Sequence, residues 1–333
     1  MRYLVTGHTG FKGAWLSLWL ERMGHEVVGV ALDPLPGALF EVAGVAASLR
    51  EDVRLDIRDA DRLAEVFRRV EPEVVVHLAA QPLVRESYRD PVTTFTTNVD
   101  GTMNVLRASR DLPGLRAILI VTTDKVYRNL DQIWGYKESD PLGGDDPYSA
   151  SKAMADLLTQ SWARSFPGPP ISIARAGNVI GGGDVSPDRL LPDLIRAYAA
   201  GSPPTLRYPG AVRPWQHVLD CLRGYLTLVE AMLESGSEGA WNFGPDVDGF
   251  RTVGEVNRLV ASLYGQSDEY VFAPNEPDEA NLLALDARKA QIRLGWRNQL
   301  DFTSAIRWTI EWHQAVAAGQ DPRAVTVGQI DEY

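Results

Sequence analysis

Cysteine is almost absent from this 333-residue chain. Cys221 is the only one, so no intrachain disulfide can form and no thiolate set can hold zinc. That usage fits a reducing compartment, and no metal is expected. Long apolar runs are missing too. The most apolar early stretch, 14–20, is too short to span a bilayer, and residues 1–7 enter a strand-like run without a charged and then apolar leader. The expectation is a cytoplasmic chain with no membrane partner. Basic charge is short: 33 Lys and Arg face 44 Asp and Glu, a net −11, which argues against a nucleic-acid partner because such surfaces are basic. A local arginine cluster still suits a small anionic ligand. Hydrophobic residues at 45% and charged residues at 23% exclude disordered, collagen-like and coiled-coil chains.

What is present is alternation. Short β-branched runs at 3–6, 26–32, 53–55, 74–78, 117–122 and 171–175 read as strands, and amphipathic segments at 11–23, 59–70, 92–110 and 147–165 as helices. The run 73–78, Glu-Val-Val-Val-His-Leu, has almost no polar alternation, as expected in a parallel sheet covered on both faces. Strand–helix alternation predicts an α/β fold, a Rossmann-type doubly wound parallel sheet with a smaller α/β substrate lobe. After Ala176, Gly and Pro cluster and the helices shorten, to 189–200, 253–263 and 286–294. The expected division is a sheet domain over 1–176 with a returning helix near 217–236, a smaller lobe from 177–216 and 237–300, and a C-terminal helix and tail over 301–333. The cleft between the lobes is the default ligand site.

Gly7, Gly10 and Gly13, in Thr6-Gly-His-Thr-Gly-Phe-Lys-Gly13, follow the first strand and open the first helix. Glycines there let the backbone turn tightly, approach a pyrophosphate and pack helix on strand, while the helix N-terminus offers free N–H groups to phosphate. Asp33 closes the second strand twenty residues beyond Gly13. Its carboxylate can accept from both ribose hydroxyls and repel a 2′-phosphate, and no Lys or Arg follows before Arg50, so NAD is favoured over NADP. The alternative is that Asp33 only starts an Asp-Pro turn.

Asp146-Pro147-Tyr148 reads as a helix start, with Asp146 as cap and Pro147 at the first position. Tyr148 and Lys152 then lie one turn apart on one face. With only 5 lysines in the chain, the pair is informative. A tyrosine that takes a proton from a sugar hydroxyl must fall from a pKa of about 10 to near 7. An ammonium at about 4 Å in an effective dielectric near 20 supplies roughly that free energy.

These features resemble the extended short-chain dehydrogenase/reductase superfamily. Longer strings resemble its CDP-glucose 4,6-dehydratase branch: VTGHTGFKGAWLSLWL (5–20), HLAAQPLVRESY (77–88), TTDKVY (122–127), WGYKESDPLGGDDPYSASKA (134–153), ARAGNVIGGGD (174–184), RPWQHV (213–218) and LDARKAQIRLGW (285–296). The resemblance implies that Thr123 binds the C4 hydroxyl beside Tyr148, and that Asp124 protonates the departing C6 hydroxyl. Lys125 stands where related dehydratases place a C5 base. An ammonium must lose its proton before acting so, through desolvation or a nearby cation such as Lys152; the alternative is that Lys125 stabilises the enolate. Tyr148 and Lys152 complete the catalytic set. On the cofactor side the resemblance implies Thr9, Phe11 and Lys12 with the three glycines, Leu78, Ala79 and Ala80 after the fourth strand, and Asp56 and Ile57 near the adenine. Arg85, Asn178, Arg189 and Arg213 are implied for the substrate, and Asn98 for a structural role. The implied reaction removes water from CDP-glucose by internal hydride transfer from C4 to C6 through NAD, giving the 4-keto-6-deoxy sugar nucleotide. Helices at 92–110 and 147–165 resemble a four-helix interface, implying a homodimer or homotetramer.

The chain departs from that pattern at Tyr208, where an Asn is usual, at Asp278, where a His is common, and at Leu283-Ala284, which lacks an adjacent Lys. All three fall in the lobe expected to select the sugar nucleotide. Two other readings stand beside the dehydratase. A 4-epimerase shares Tyr–Lys but needs no acid at C6, so Asp124-Lys125 disfavours it. A non-catalytic NAD-sensing protein would lack Tyr148 or Lys152.

Overall fold

The computed structural model describes residues 1–273 and 283–333; Asp278 lies outside them. The strands are β1 Arg2–Thr6, β2 Glu26–Ala31, β3 Glu51–Arg54, β4 Val74–His77, β5 Ala117–Val121, β6 Ile171–Ala176, β7 Asn178–Ile180, β8 Thr205–Leu206, β9 Val212–His217, β10 Gly239–Phe243, β11 Phe250–Thr252 and β12 Val271–Phe272. Seven of them form one sheet in the order β10-β6-β5-β4-β1-β2-β3, with every neighbouring pair parallel.

Successive residues of each strand feed opposite cores. Tyr3, Val5, Val76 and Leu119 pack with the helices Phe11–Arg22 and Val218–Ser235 on one face. Leu4, Val75, Ile118 and Ile120 pack with Ala60–Val70 and Gly101–Ser109 on the other. Burial on both faces is why these strands read as continuous apolar runs. The order reverses at β1, between β2 and β4, which opens a crevice at the carboxyl ends of the strands.

The smaller lobe holds a three-stranded sheet, β11-β9-β7, and the pair β12-β8. Helices Leu190–Ala199, Val253–Tyr264 and Phe302–Ala317 close over Trp215, Ile180 and Leu206. β10 lies within the segment expected in this lobe, yet it pairs with β6 in the large sheet. The segment 301–333 forms two helices, Phe302–Ala317 and Pro322–Glu332, each started by an aspartate that accepts from the backbone (Asp301, Asp321). The single helix expected at 92–110 is divided. Asp90 caps a short helix, Pro91–Phe95, then a π turn spans Thr96–Asp100, then Gly101–Ser109 continues. Trp15 donates to the carbonyl of Gly182, 2.9 Å away, and so ties the first helix to the glycine turn of the smaller lobe. His217 is buried against Trp15 and Trp308 and accepts from the Leu219 amide; burial lowers its pKa to about 3, the mark of a neutral core histidine.

Beneath the crevice lies a buried ion pair. Both nitrogens of the Arg175 fork meet Asp156, at 2.8 and 2.7 Å, with no solvent exposure on either side chain. Thr122 also donates to Asp156, while Arg175 donates to the Tyr127 hydroxyl, which donates to Asn242. Removing one member of such a pair strands the other charge in a dry core. Arg175→Met should therefore lower stability by about 3–5 kcal/mol in urea unfolding, and adding Asp156→Leu should recover much of that loss.

Candidate active site

The turn after β1 depends on glycine for room. Gly7 has φ +76°, and a Cβ on it would stand 2.6 Å from the backbone nitrogen of Ala79. A Cβ on Gly13 would stand 2.2 Å from the Gly7 carbonyl oxygen. At Gly10 the nearest atom would be that same oxygen at 3.3 Å, so its face is open. The helix that starts at Phe11 aims its N-terminus along this face. Thr9 spends its hydroxyl on the Leu32 carbonyl, 3.0 Å away, and fixes the turn to the end of β2. Asp33 projects there with 90% of its side chain exposed. Folding brings Arg54 to 3.9 Å from it, while Asp52 and the Leu32 carbonyl hold Arg54 in place. Asp56 is engaged by Arg58, and Ile57 fills the space over Gly101.

The ends of β5 and the helix Pro147–Ser165 supply the second group. Asp146 caps that helix, accepting from the Ser149 amide at 2.9 Å. Tyr148 and Lys152 are both buried, and a hydrogen bond joins the Tyr148 and Thr123 hydroxyls. Thr123 also donates to Asp124, 2.9 Å away. Lys152 donates to the Val121 carbonyl at 3.0 Å.

Burial raises the Tyr148 pKa to about 12, more than Thr123 and the Arg189 charge lower it. The low pKa expected for a working base is therefore not set by the protein charges alone. Burial also lowers Lys152 to about 8, helped by the charge of Lys12 and opposed by Asp156 one turn further on. Lys12 contacts the Tyr225 hydroxyl at 3.3 Å, and desolvation pushes its pKa down. Asp124 moves upward because burial penalises its charge more than Lys125, Thr123 and Arg213 favour it. The Thr123 hydroxyl thus bonds both Tyr148 and Asp124.

A third group lines the smaller lobe. Arg213, on β9, is buried, and Asn178 starts β7 beside it in the same sheet. Arg189 places its charge on both Tyr148 and Lys12, and its Nε is buried with no hydrogen-bond partner among the described residues. Arg85 reaches across the cleft to Asp188 at 3.3 Å. Every residue singled out in the sequence for catalysis, cofactor or substrate lines this one cavity of about 760 Å³.

Asn98, singled out in the sequence for a structural role, lies inside the π turn; it holds the Gln81 backbone through both its donor and its acceptor and reaches Ser151 at 2.8 Å, joining the loop after β4 to the helix Pro147–Ser165. Asp188 and Arg207, which had no marker in the sequence, also line the cleft. Asp156, four residues after Lys152, was within reach of helical spacing.

The sequence model of the NAD dependent epimerase/dehydratase family matches residues 3–244. The chain belongs to that family. Among its relatives, a CDP-glucose 4,6-dehydratase from Salmonella typhimurium is 40% identical over 100% of this chain and 96% of its own length. A probable dTDP-glucose 4,6-dehydratase from Sinorhizobium fredii is 31% identical over 94% and 93%. A dTDP-glucose 4,6-dehydratase from Streptomyces venezuelae, solved with NAD bound, superposes with a TM-score of 0.85 at 28% identity, covering 97% of this chain and 100% of that one. The family cofactor fits the turn: the open face at Gly10, the helix N-terminus and the exposed Asp33 carboxylate offer a diphosphate and a ribose their partners. Gly13→Ala should therefore weaken NAD binding by at least about 10-fold in a fluorescence titration, because the turn must open to admit the methyl group.

Proposed function

We propose that the chain is a sugar-nucleotide 4,6-dehydratase acting on CDP-glucose. The observation that carries the reading is Asp124. It is a buried carboxyl group whose pKa is raised, hydrogen-bonded to the threonine that also meets Tyr148. Epimerisation at C4 has no use for such an acid. The 40% identity to a CDP-glucose 4,6-dehydratase over the whole chain supports the same substrate.

With the hexose against this wall, Thr123 orients the C4 hydroxyl and Tyr148 accepts its proton. The Arg189 charge favours the nascent phenolate, and Lys152 stands one helical turn from Tyr148. NAD held by the glycine turn and Asp33 would supply a reversible two-electron acceptor. Oxidation at C4 makes the C5 proton acidic; Lys125, lining the cleft beside Asp124, either takes that proton or stabilises the enolate. Asp124 gives its proton to the C6 hydroxyl, which leaves as water. Reduction at C6 then balances the oxidation at C4, so the product is lighter by one water with no external oxidant. Asn178, Arg189 and Arg213 bind the diphosphate.

The chain also pairs with a second copy. Met103, Met154 and Leu157 are 40%, 47% and 52% exposed on the adjacent helices Gly101–Ser109 and Pro147–Ser165. Two such helix pairs, related by a two-fold axis, cover one another's apolar faces.

Incubation with CDP-glucose and NAD should yield a new C6 methyl signal in proton NMR; epimerised or untouched sugar would refute the assignment. Asp124→Asn should lower kcat by about 10²–10⁴-fold. A carboxyl group with a raised folded pKa favours the folded state below its ordinary value of 3.8 and loses that contribution as pH rises through the folded pKa. The Asp124→Asn protein should therefore melt higher than wild type at pH 7, with the gap closing near pH 4. Met154→Glu with Leu157→Glu should halve the mass seen by sedimentation.

A further inference from the structure

Asp188 joins the two sides of the cleft. Its Oδ1 accepts from Arg85, 3.3 Å away on the helix Val84–Arg89, and from Arg207, 3.0 Å away between β8 and β9. Among the described residues no hydrogen bond is made to its Oδ2. The backbone at Asp188 is left-handed, with φ +59°, one of three such non-glycine residues among those described. Asp188, Arg85 and Arg207 keep 26%, 25% and 29% of their side chains exposed, whereas Tyr148, Thr123 and Lys152 on the cleft floor are buried. A sugar nucleotide with its hexose on that floor and its diphosphate running outward would bring its base toward the rim where these three residues meet.

A carboxylate oxygen flanked by guanidinium groups is an acceptor set between donors. Cytosine presents the complement, an exocyclic amino donor beside ring acceptors, whereas uracil and thymine place a carbonyl oxygen where the amino group stands. Resting on the CDP-glucose reading, we propose that Asp188 selects the nucleotide base, taking a hydrogen bond from the cytosine amino group while Arg85 and Arg207 hold it in position. Facing uracil or thymine, the same carboxylate meets the O4 oxygen and repels it.

The test is calorimetric binding of CDP and UDP to wild type, Asp188→Asn and Asp188→Gly, followed by kcat/KM for the matching glucose nucleotides. Asn and Gly both accept a left-handed backbone, and the arginines keep an acceptor in the Asn protein. Wild type should prefer CDP. Both variants should lose about 10- to 100-fold in affinity for CDP and little for UDP, with the change in kcat/KM falling in KM. An equal loss for both nucleotides would overturn the proposal, since Asp188 would then only position arginines; so would an unchanged preference. Binding separates the two claims. Should wild type fail to dehydrate CDP-glucose while still preferring CDP through Asp188, the substrate reading falls and the base-reading role stands.

Discussion

Charged groups held out of water at the carboxyl ends of β5 and β6 are the constraint around which the rest is arranged. Asp124, Lys152, Asp156 and Arg175 are all buried, and each would cost several kcal/mol if left without partners. The fold supplies those partners. Arg175 and Asp156 neutralise one another through two hydrogen bonds, Thr122 and Tyr127 complete their valences, and Lys152 is anchored on the Val121 carbonyl. Because the polar network is satisfied beneath the cleft, the groups above it keep shifted proton affinities without unravelling the sheet.

Burial shifts Asp124 and Tyr148 in the same direction, both upward. Desolvation raises the Asp124 pKa above its ordinary value. The same desolvation raises Tyr148 to about 12, so a phenolate forms there only when positive charge gathers around it. The two effects have one cause: low dielectric penalises an anion wherever it stands.

The domain architecture places these groups without contributing chemistry. The reversal of strand order at β1 brings the glycine turn, the loop after β4 and the Thr123–Lys125 turn to one edge of the sheet. Close approach of Gly7 to Ala79 locks the first two together. The smaller lobe then lowers Asn178, Arg189 and Arg213 over that edge, and the Trp15 indole on Gly182 fixes the lobe to the first helix.

Local pattern was enough to read the large sheet, the glycine turn and the Tyr148–Lys152 pair, because each is set by neighbours a few residues apart: strands apolar on both faces, a helix one turn long between two side chains, a capped start at Asp146. The strands of the smaller lobe, two to six residues long, are too short to carry such a period, and β10 leaves that segment for the large sheet. The break at Thr96–Asp100 likewise has no local mark; it exists so that Asn98 can reach Gln81 and Ser151. Packing alone decided which charges meet. Arg85 and Asp188 are 103 residues apart in sequence and Arg175 and Asp156 are 19 apart, and only the crossing of separate elements makes either pair. Sequence by itself settled which chemical groups the chain carries and on what local frame; the tertiary structure decided which of them lose water, and burial is what sets their proton affinities.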